Sequence, residues 1–263
     1  MPVLVDSHAL VSPKAALADG VQVGALAVIE DDVTIGEGTR IGAHAIVHNG
    51  SRIGRDCKID SYAAIGGAPQ DLKYAGEPTT LTIGDRVVVR EFVTLNRGTT
   101  ATGKTTIGND CLFMAYSHVA HDCTVGSNAI LANCCALGGH VHLGDWVILG
   151  GLTPVHQFCH VGEHAMIGGG FRVVKDVPPY ILAGSDPLIF ERLNVIGLRR
   201  RGFSDKSIEV LEKTYRLIYR SSLNVSQAVA RVKEEVELTP EVQKVLSFIA
   251  GSTRGIISGY AHH

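Results

Sequence analysis

The sequence predicts a left-handed parallel β-helix followed by a C-terminal α-helical domain, on three observations. Aliphatic residues recur every six positions from Val11 to Val173. Glycine is abundant at 30 residues while aromatics make up only 6%, a composition suited to many tight turns rather than a bulky core. After DVPPY (Asp176 to Tyr180) the period of six gives way to apolar spacings of three and four.

Stepping by six through Val11, Leu17, Val23 and Ile29 meets an aliphatic residue or Phe113 at every position except Asp71, Glu77 and Ala101. Two residues before each lies something small, as at Ala27, Thr39, Ala45, Cys57 and Ala63, and glycine often follows, as at Gly36, Gly54 and Gly126. Each hexad therefore predicts a short strand with those two side chains inward, the residue between them outward, and three residues to turn a corner. Three hexads close one triangular coil of about 18 residues. Coils stack at ~4.8 Å, so residues 18 apart occupy the same place on successive rungs. The coil is expected over residues 1–180, with excursions at 66–82 and 98–106 where the repeat breaks.

This register sorts the remaining residues. Cys57, Cys111, Cys123, Cys135 and Cys159 all fall on the small inward position, where a thiol is a compact apolar filler rather than a disulfide or zinc ligand. Cys134 alone lies off that ladder. Leu112, Ile130, Ile148 and Met166 form an outward apolar column that either another subunit or the C-terminal segment must cover. Within the C-terminal domain, residues 181–258, Ser204 is a candidate N-cap for one helix, Asn224 or Ser226 for a second, and Thr239-Pro240 starts a third. Residues 259–263 form a tail in which His262-His263 read as the stub of a purification tag. A net charge of −2 gives no general attraction to nucleic acid or membrane. No apolar run reaches the ~18 residues that a membrane span needs, and a cytoplasmic home is expected.

The same arithmetic gathers a polar corner. Asp122 and His140 are 18 apart, as are His121, Gly139 and Gln157; His156 adjoins Gln157, and His118 points outward from the strand entering the corner. Histidine titrates near neutrality, so a histidine with a carboxylate neighbour suits a general base. The N–H of Gly138 or Gly139 could face a developing oxyanion. His142 and His160 stack on another outward face, with surface or interface roles equally open. A zinc site of three histidines (His118, His121, His140), as in γ-class carbonic anhydrases, is a rival reading, but it leaves Asp122 and the lysine of the 66–82 loop without a task.

The motifs QDLKYAGEPT (Gln70 to Thr79), HVAHDCTVG (His118 to Gly126), GGHV, VHQF, DVPPY, LRRRGFS (Leu198 to Ser204) and STRG (Ser252 to Gly255) resemble the UDP-N-acetylglucosamine O-acyltransferase family from end to end. The resemblance implies transfer of an (R)-3-hydroxyacyl chain from acyl carrier protein to the 3-hydroxyl of UDP-N-acetylglucosamine, the first step of lipid A biosynthesis. It implies a homotrimer with sites between subunits, and no cofactor or metal. Carried over by position, His121 is the general base, Asp122 its orienting carboxylate and Gly139 the oxyanion donor. His118, His140, His156 and Gln157 line the substrate pockets; Gln70, Asp71 and Lys73 hold substrate from the loop; Asn194, Arg200 and Arg201 meet the nucleotide. Arg192 and Arg199 extend this basic cluster toward an acidic carrier protein. Gly169 and Phe171 bear on acyl length, glycine leaving room for a longer chain and phenylalanine shortening the space. Ile196 stands where the family commonly has a glutamate near the ribose, and Asn96 and Pro187 stand where some relatives have histidine. An acceptor bearing a 3-amino group, giving an amide, is compatible with the same residues.

Overall fold

A computed structural model describes residues 2–259, so His262-His263 and most of the tail lie outside the described residues. Among the described residues the chain winds into three sheets of eleven, eight and eight strands, the sides of a triangular prism, parallel throughout except for the last strand of the first. Most strands are only two residues long, as the hexad requires. The segment Val33–Ile35 shows the pattern: Val33 and Ile35 are buried and Thr34 between them is exposed. Inward aliphatics such as Ile35, Ile65, Leu95 and Ile167 have no accessible surface; each contributes roughly 1.5–3 kcal/mol by leaving water.

Rung-to-rung pairing follows the 18-residue register, as in Leu112↔Ile130↔Ile148↔Met166 and His142↔His160. It widens where the repeat breaks: Lys58 pairs with Val88 and Val88 with Leu112. The first excursion thus inserts two hexads and the second one, so each leaves the period in phase. Asp71, Glu77 and Ala101 are the points the inserted hexads contribute.

Five cysteines are buried and free, and Cys134 is exposed. Burial pushes the Cys123 thiol up to about 12 and Cys111 and Cys159 up to about 11, which leaves them inert fillers. The outward column continues past Met166 to Leu182, where the C-terminal segment extends this sheet.

After Tyr180 the chain first makes a hairpin of Ile181–Gly184 and Ile189–Leu193, which pairs with the last rung and covers its open edge. Four helices follow: α1 (Val195–Arg200), α2 (Asp205–Tyr219), α3 (Val225–Glu235) and α4 (Pro240–Gly251). Ser204 caps α2 through the Ser207 N–H, and Thr239 caps α4 with proline at the first turn. Between the two candidates for α3 it is Asn224, in a reciprocal capping box with Gln227.

The DVPPY and STRG motifs clasp the domain to the prism. Buried Asp176 accepts from the Ser252 hydroxyl at 2.6 Å and from the His160 N–H at 2.8 Å. Its N–H donates to the Gly255 carbonyl. Tyr215 donates its hydroxyl to the Pro179 carbonyl at 2.5 Å.

Candidate active site

The polar corner forms where the strand His118–Val119 turns into Thr124–Val125. Asp122, His140 and Phe158 occupy the left-handed turn position of three successive rungs, with φ of 60°, 61° and 63°. Their side chains therefore leave the corner in the same direction. His121 Nδ1 lies 2.7 Å from Asp122 Oδ2, and His140 Nε2 lies 3.7 Å from the same oxygen. The two rings meet edge to face at 5.3 Å between centroids, and Phe158 stacks on His140 at 4.5 Å.

Asp122 has a fully buried side chain. Its Oδ1 accepts from the Thr99 N–H at 3.0 Å and the Thr102 hydroxyl at 2.5 Å; its Oδ2 accepts from the Thr99 hydroxyl at 2.7 Å as well as from His121. Burial alone would raise this carboxyl. The bonds from Thr102, Thr99 and His121 together outweigh it and hold Asp122 down at about 2. An ionised carboxylate can only accept, so His121 Nδ1 carries a proton, and in the neutral ring Nε2 keeps its lone pair.

Gly139 backs onto this ring: a Cβ there would sit 2.6 Å from His121 Cε1 and 2.7 Å from Nε2. Only glycine allows that approach. The Gly139 carbonyl accepts from the Phe158 N–H at 3.0 Å, while its own N–H makes no hydrogen bond among the described residues. The residue packed against the His121 ring thus carries a donor with no partner among the described residues, and acyl transfer uses such a donor together with a base. His121, Asp122 and His140 can also bring one ligand atom each to within 4.8 Å of one another. Asp122, however, already accepts four hydrogen bonds, so its lone pairs are directed at the loop and His121 rather than at an ion.

The other residues singled out from the sequence divide into two groups. His118 joins the corner; its Nδ1 is 2.7 Å from Thr94 Oγ1, and burial, with a smaller contribution from His121, lowers its pKa. His156 and Gln157 lie one rung beyond, exposed, with His156 Nδ1–H donating to the Gln157 carbonyl at 3.0 Å. Gly169 is exposed on the rung after that, facing the Gly151 carbonyl. Phe171 is only partly buried, its ring packed against Gly168 and Gly184 rather than filling the coil.

Gln70, Asp71 and Lys73 ride on the large excursion. Arg97 anchors that loop by donating to the Gly66 carbonyl at 2.9 Å and the Tyr74 hydroxyl at 2.9 Å, and Asn96 donates to the Ala68 carbonyl. Among the described residues no hydrogen bond joins these three side chains to the corner of their own chain; Asp71 accepts from the Lys73 N–H. Asn194 is buried and caps α1, its amide donating to the His164 carbonyl and accepting from the Gly197 N–H. Arg200 is exposed, as is Ile196. Arg201 lies over the Trp146 ring at 5.0 Å and beside His164, which burial and then the Arg201 charge hold down at about 4.

Four contributors escaped the sequence reading: Thr94, Thr99, Thr102 and Phe158. Phe158 was within reach, being 18 residues after His140. The threonines were not, because the second excursion displaces the register between Thr94 and His118 from 18 to 24 residues.

Comparison with known proteins agrees with this architecture. The hexapeptide transferase model matches residues 14–49 and 104–139, and residues 176–257 match the second domain of UDP-N-acetylglucosamine O-acyltransferase. An acyl-[acyl-carrier-protein]–UDP-N-acetylglucosamine O-acyltransferase of Pseudomonas entomophila is 46% identical, covering 96% of this chain and 98% of its own. That of Herminiimonas arsenicoxydans is 48% identical over 97% and 99%. The structure of LpxA from Acinetobacter baumannii superposes with a TM-score of 0.93 at 41% identity, covering 97% of this chain and 99% of its own. The Francisella novicida UDP-N-acetylglucosamine acyltransferase gives 0.94 at 34% identity, covering 99% and 100%. Fold, corner and relatives agree: this chain belongs to the UDP-N-acetylglucosamine O-acyltransferase family.

Proposed function

We infer that this protein transfers an (R)-3-hydroxyacyl group from acyl carrier protein to the 3-hydroxyl of UDP-N-acetylglucosamine at the start of lipid A synthesis, with His121 as general base. The observation that carries the mechanism is the His121–Asp122 pair with Gly139 against its ring. His121 Nε2 takes the proton from the sugar hydroxyl as its oxygen attacks the thioester carbonyl. The Gly139 N–H meets the oxyanion of the tetrahedral intermediate. Collapse breaks the C–S bond, and the imidazolium returns its proton to the departing thiolate of the carrier. Asp122 stabilises the imidazolium between these steps, a contribution of roughly 10²–10⁴ in rate for the base as a whole.

The active assembly on this reading is a cytoplasmic homotrimer joined along the apolar column from Leu112 to Leu182. Gln70, Asp71 and Lys73 then reach a neighbouring subunit's corner, which suits a loop projecting into solvent from its own chain. His118, His140, His156 and Gln157 line the acceptor and acyl pockets, with Gly169 and Phe171 near the far end of the acyl chain. Asn194 fixes the start of the helix that carries Arg200, which with Arg201 serves the nucleotide. No helix among the described residues is long and apolar enough to cross a membrane.

The test is His121→Ala, assayed with hydroxyacyl carrier proteins of several lengths and both the 3-hydroxyl and 3-amino UDP-sugars. Turnover should fall at least about a hundredfold with fold and oligomeric state unchanged. Near-normal turnover refutes the base.

A further inference from the structure

We propose that Thr99 and Thr102 are positioning residues for the transfer reaction. On this proposal the short excursion 98–106 holds Asp122, and through it His121, in the orientation that presents His121 Nε2 to the acceptor hydroxyl. The proposal rests on the reading of His121 as base.

At a regular corner the chain turns in three residues. Here one extra hexad folds back on itself. The Gly98 N–H donates to the Thr80 carbonyl at 3.1 Å, the Thr80 N–H to the Gly103 carbonyl at 3.0 Å, and the Gly103 N–H to the Thr99 carbonyl at 2.7 Å. The base of the loop is so narrow that a Cβ on Gly98 would fall 2.3 Å from the Lys104 nitrogen. Both ends are tied to the strand Thr80–Ile83, and the tip is directed at Asp122.

Three donors then converge on one carboxylate. The Thr99 N–H and the Thr102 hydroxyl take Oδ1, and the Thr99 hydroxyl takes Oδ2. The Thr102 hydroxyl has one proton and two acceptors in range, Asp122 at 2.5 Å and the Lys104 carbonyl at 2.9 Å. The nearer, charged acceptor takes it. Thr99 Oγ1 in turn accepts from the Ala101 N–H at 3.2 Å, which directs its own proton at Asp122.

With these sites filled, the carboxylate plane is fixed and the remaining lone pair of Oδ2 points at His121. That choice matters because His140 Nε2 competes for the same oxygen from 3.7 Å. An Asp122 free to rotate could pair with His140 and release His121 from its orientation. Neither threonine need touch substrate, since both lie beneath the dyad and act through it.

Thr102→Val, Thr99→Val and the double variant test this, with Thr99→Ser as the rescue and His121→Ala in parallel. Thr102 is exposed, so its valine variant should fold like the parent, as thermal unfolding will show. A lost bond to a charged acceptor predicts a kcat lower by about tenfold in each single variant and about a hundredfold in the double, with KM within about twofold. Thr99→Ser, which keeps the hydroxyl, should restore kcat to within about threefold of the parent. Parent-like kcat in folded Thr102→Val and Thr99→Val overturns the proposal. So does a loss carried by KM, or a serine variant as slow as the valine one. If His121→Ala remains active, the base assignment itself fails; if only the threonine variants are unaffected, that assignment stands and the positioning role falls.

Discussion

Replacing Asp122 by asparagine tests the dyad most directly, because the side chains are isosteric and the four hydrogen bonds at this residue decide the outcome. Asp122 accepts from the Thr99 N–H and Thr102 hydroxyl on one oxygen and from the Thr99 hydroxyl and His121 on the other. An asparagine has one acceptor oxygen. Placed toward the backbone N–H of Thr99, which cannot reverse, it leaves the NH₂ group facing the Thr99 hydroxyl and His121 Nδ1. The hydroxyl can rotate to accept. The imidazole can accept at Nδ1 only by moving its proton to Nε2, the atom that takes the sugar proton on the proposed mechanism. An equivalent wrong-tautomer substitution costs about 10⁴ in a serine-protease triad, so kcat for Asp122→Asn should fall about 10³- to 10⁴-fold, or roughly 4–5.5 kcal/mol of barrier. KM should change little.

Steady-state kinetics at saturating carrier-protein thioester measures this. A second readout is stability against pH. A carboxyl held at about 2 in the fold, below its ordinary 3.8, contributes about 2 kcal/mol that is fully present above pH 4 and lost as pH falls toward 2. The stability gap between parent and variant in urea should therefore narrow on acidification. Parent-like turnover, or a loss confined to KM, refutes the tautomer argument; a gap that widens at low pH refutes the charge assignment.

Gly139→Ala would put a methyl 2.6–2.7 Å from the His121 ring and displace it; a kcat loss of at least about tenfold in a folded protein is expected by kinetics and circular dichroism. Ile148→Asp places a charge in the middle of the apolar column, and sedimentation should show the proposed trimer dissociating with loss of activity; an unchanged assembly would assign the interface elsewhere. In the native protein a thiol reagent should label Cys134 rapidly and the other five only on unfolding, since those five are buried; fast labelling of a second thiol contradicts the inward register.

Much of this molecule is legible in one dimension because a solenoid makes sequence distance nearly equivalent to spatial position. A period of six gives the strands, and a step of 18 gives the neighbours, so the inward cysteines, the column from Leu112 to Met166 and the meeting of His121, Asp122 and His140 all follow from counting. Helix caps at Ser204, Asn224 and Thr239 follow from local chemistry that acts within three residues. The hairpin after Tyr180 was not legible, because its apolar strands pair with an edge that exists only once the last rung has closed. Nor was the role of Thr99 and Thr102, since an inserted hexad has no partner in the register and its path depends on what it folds against. Asp122 was thus recognisable from the sequence as the neighbour of the proposed base. Its ionisation and its choice of His121 over His140 were decided by donors that only the folded loop brings beneath it.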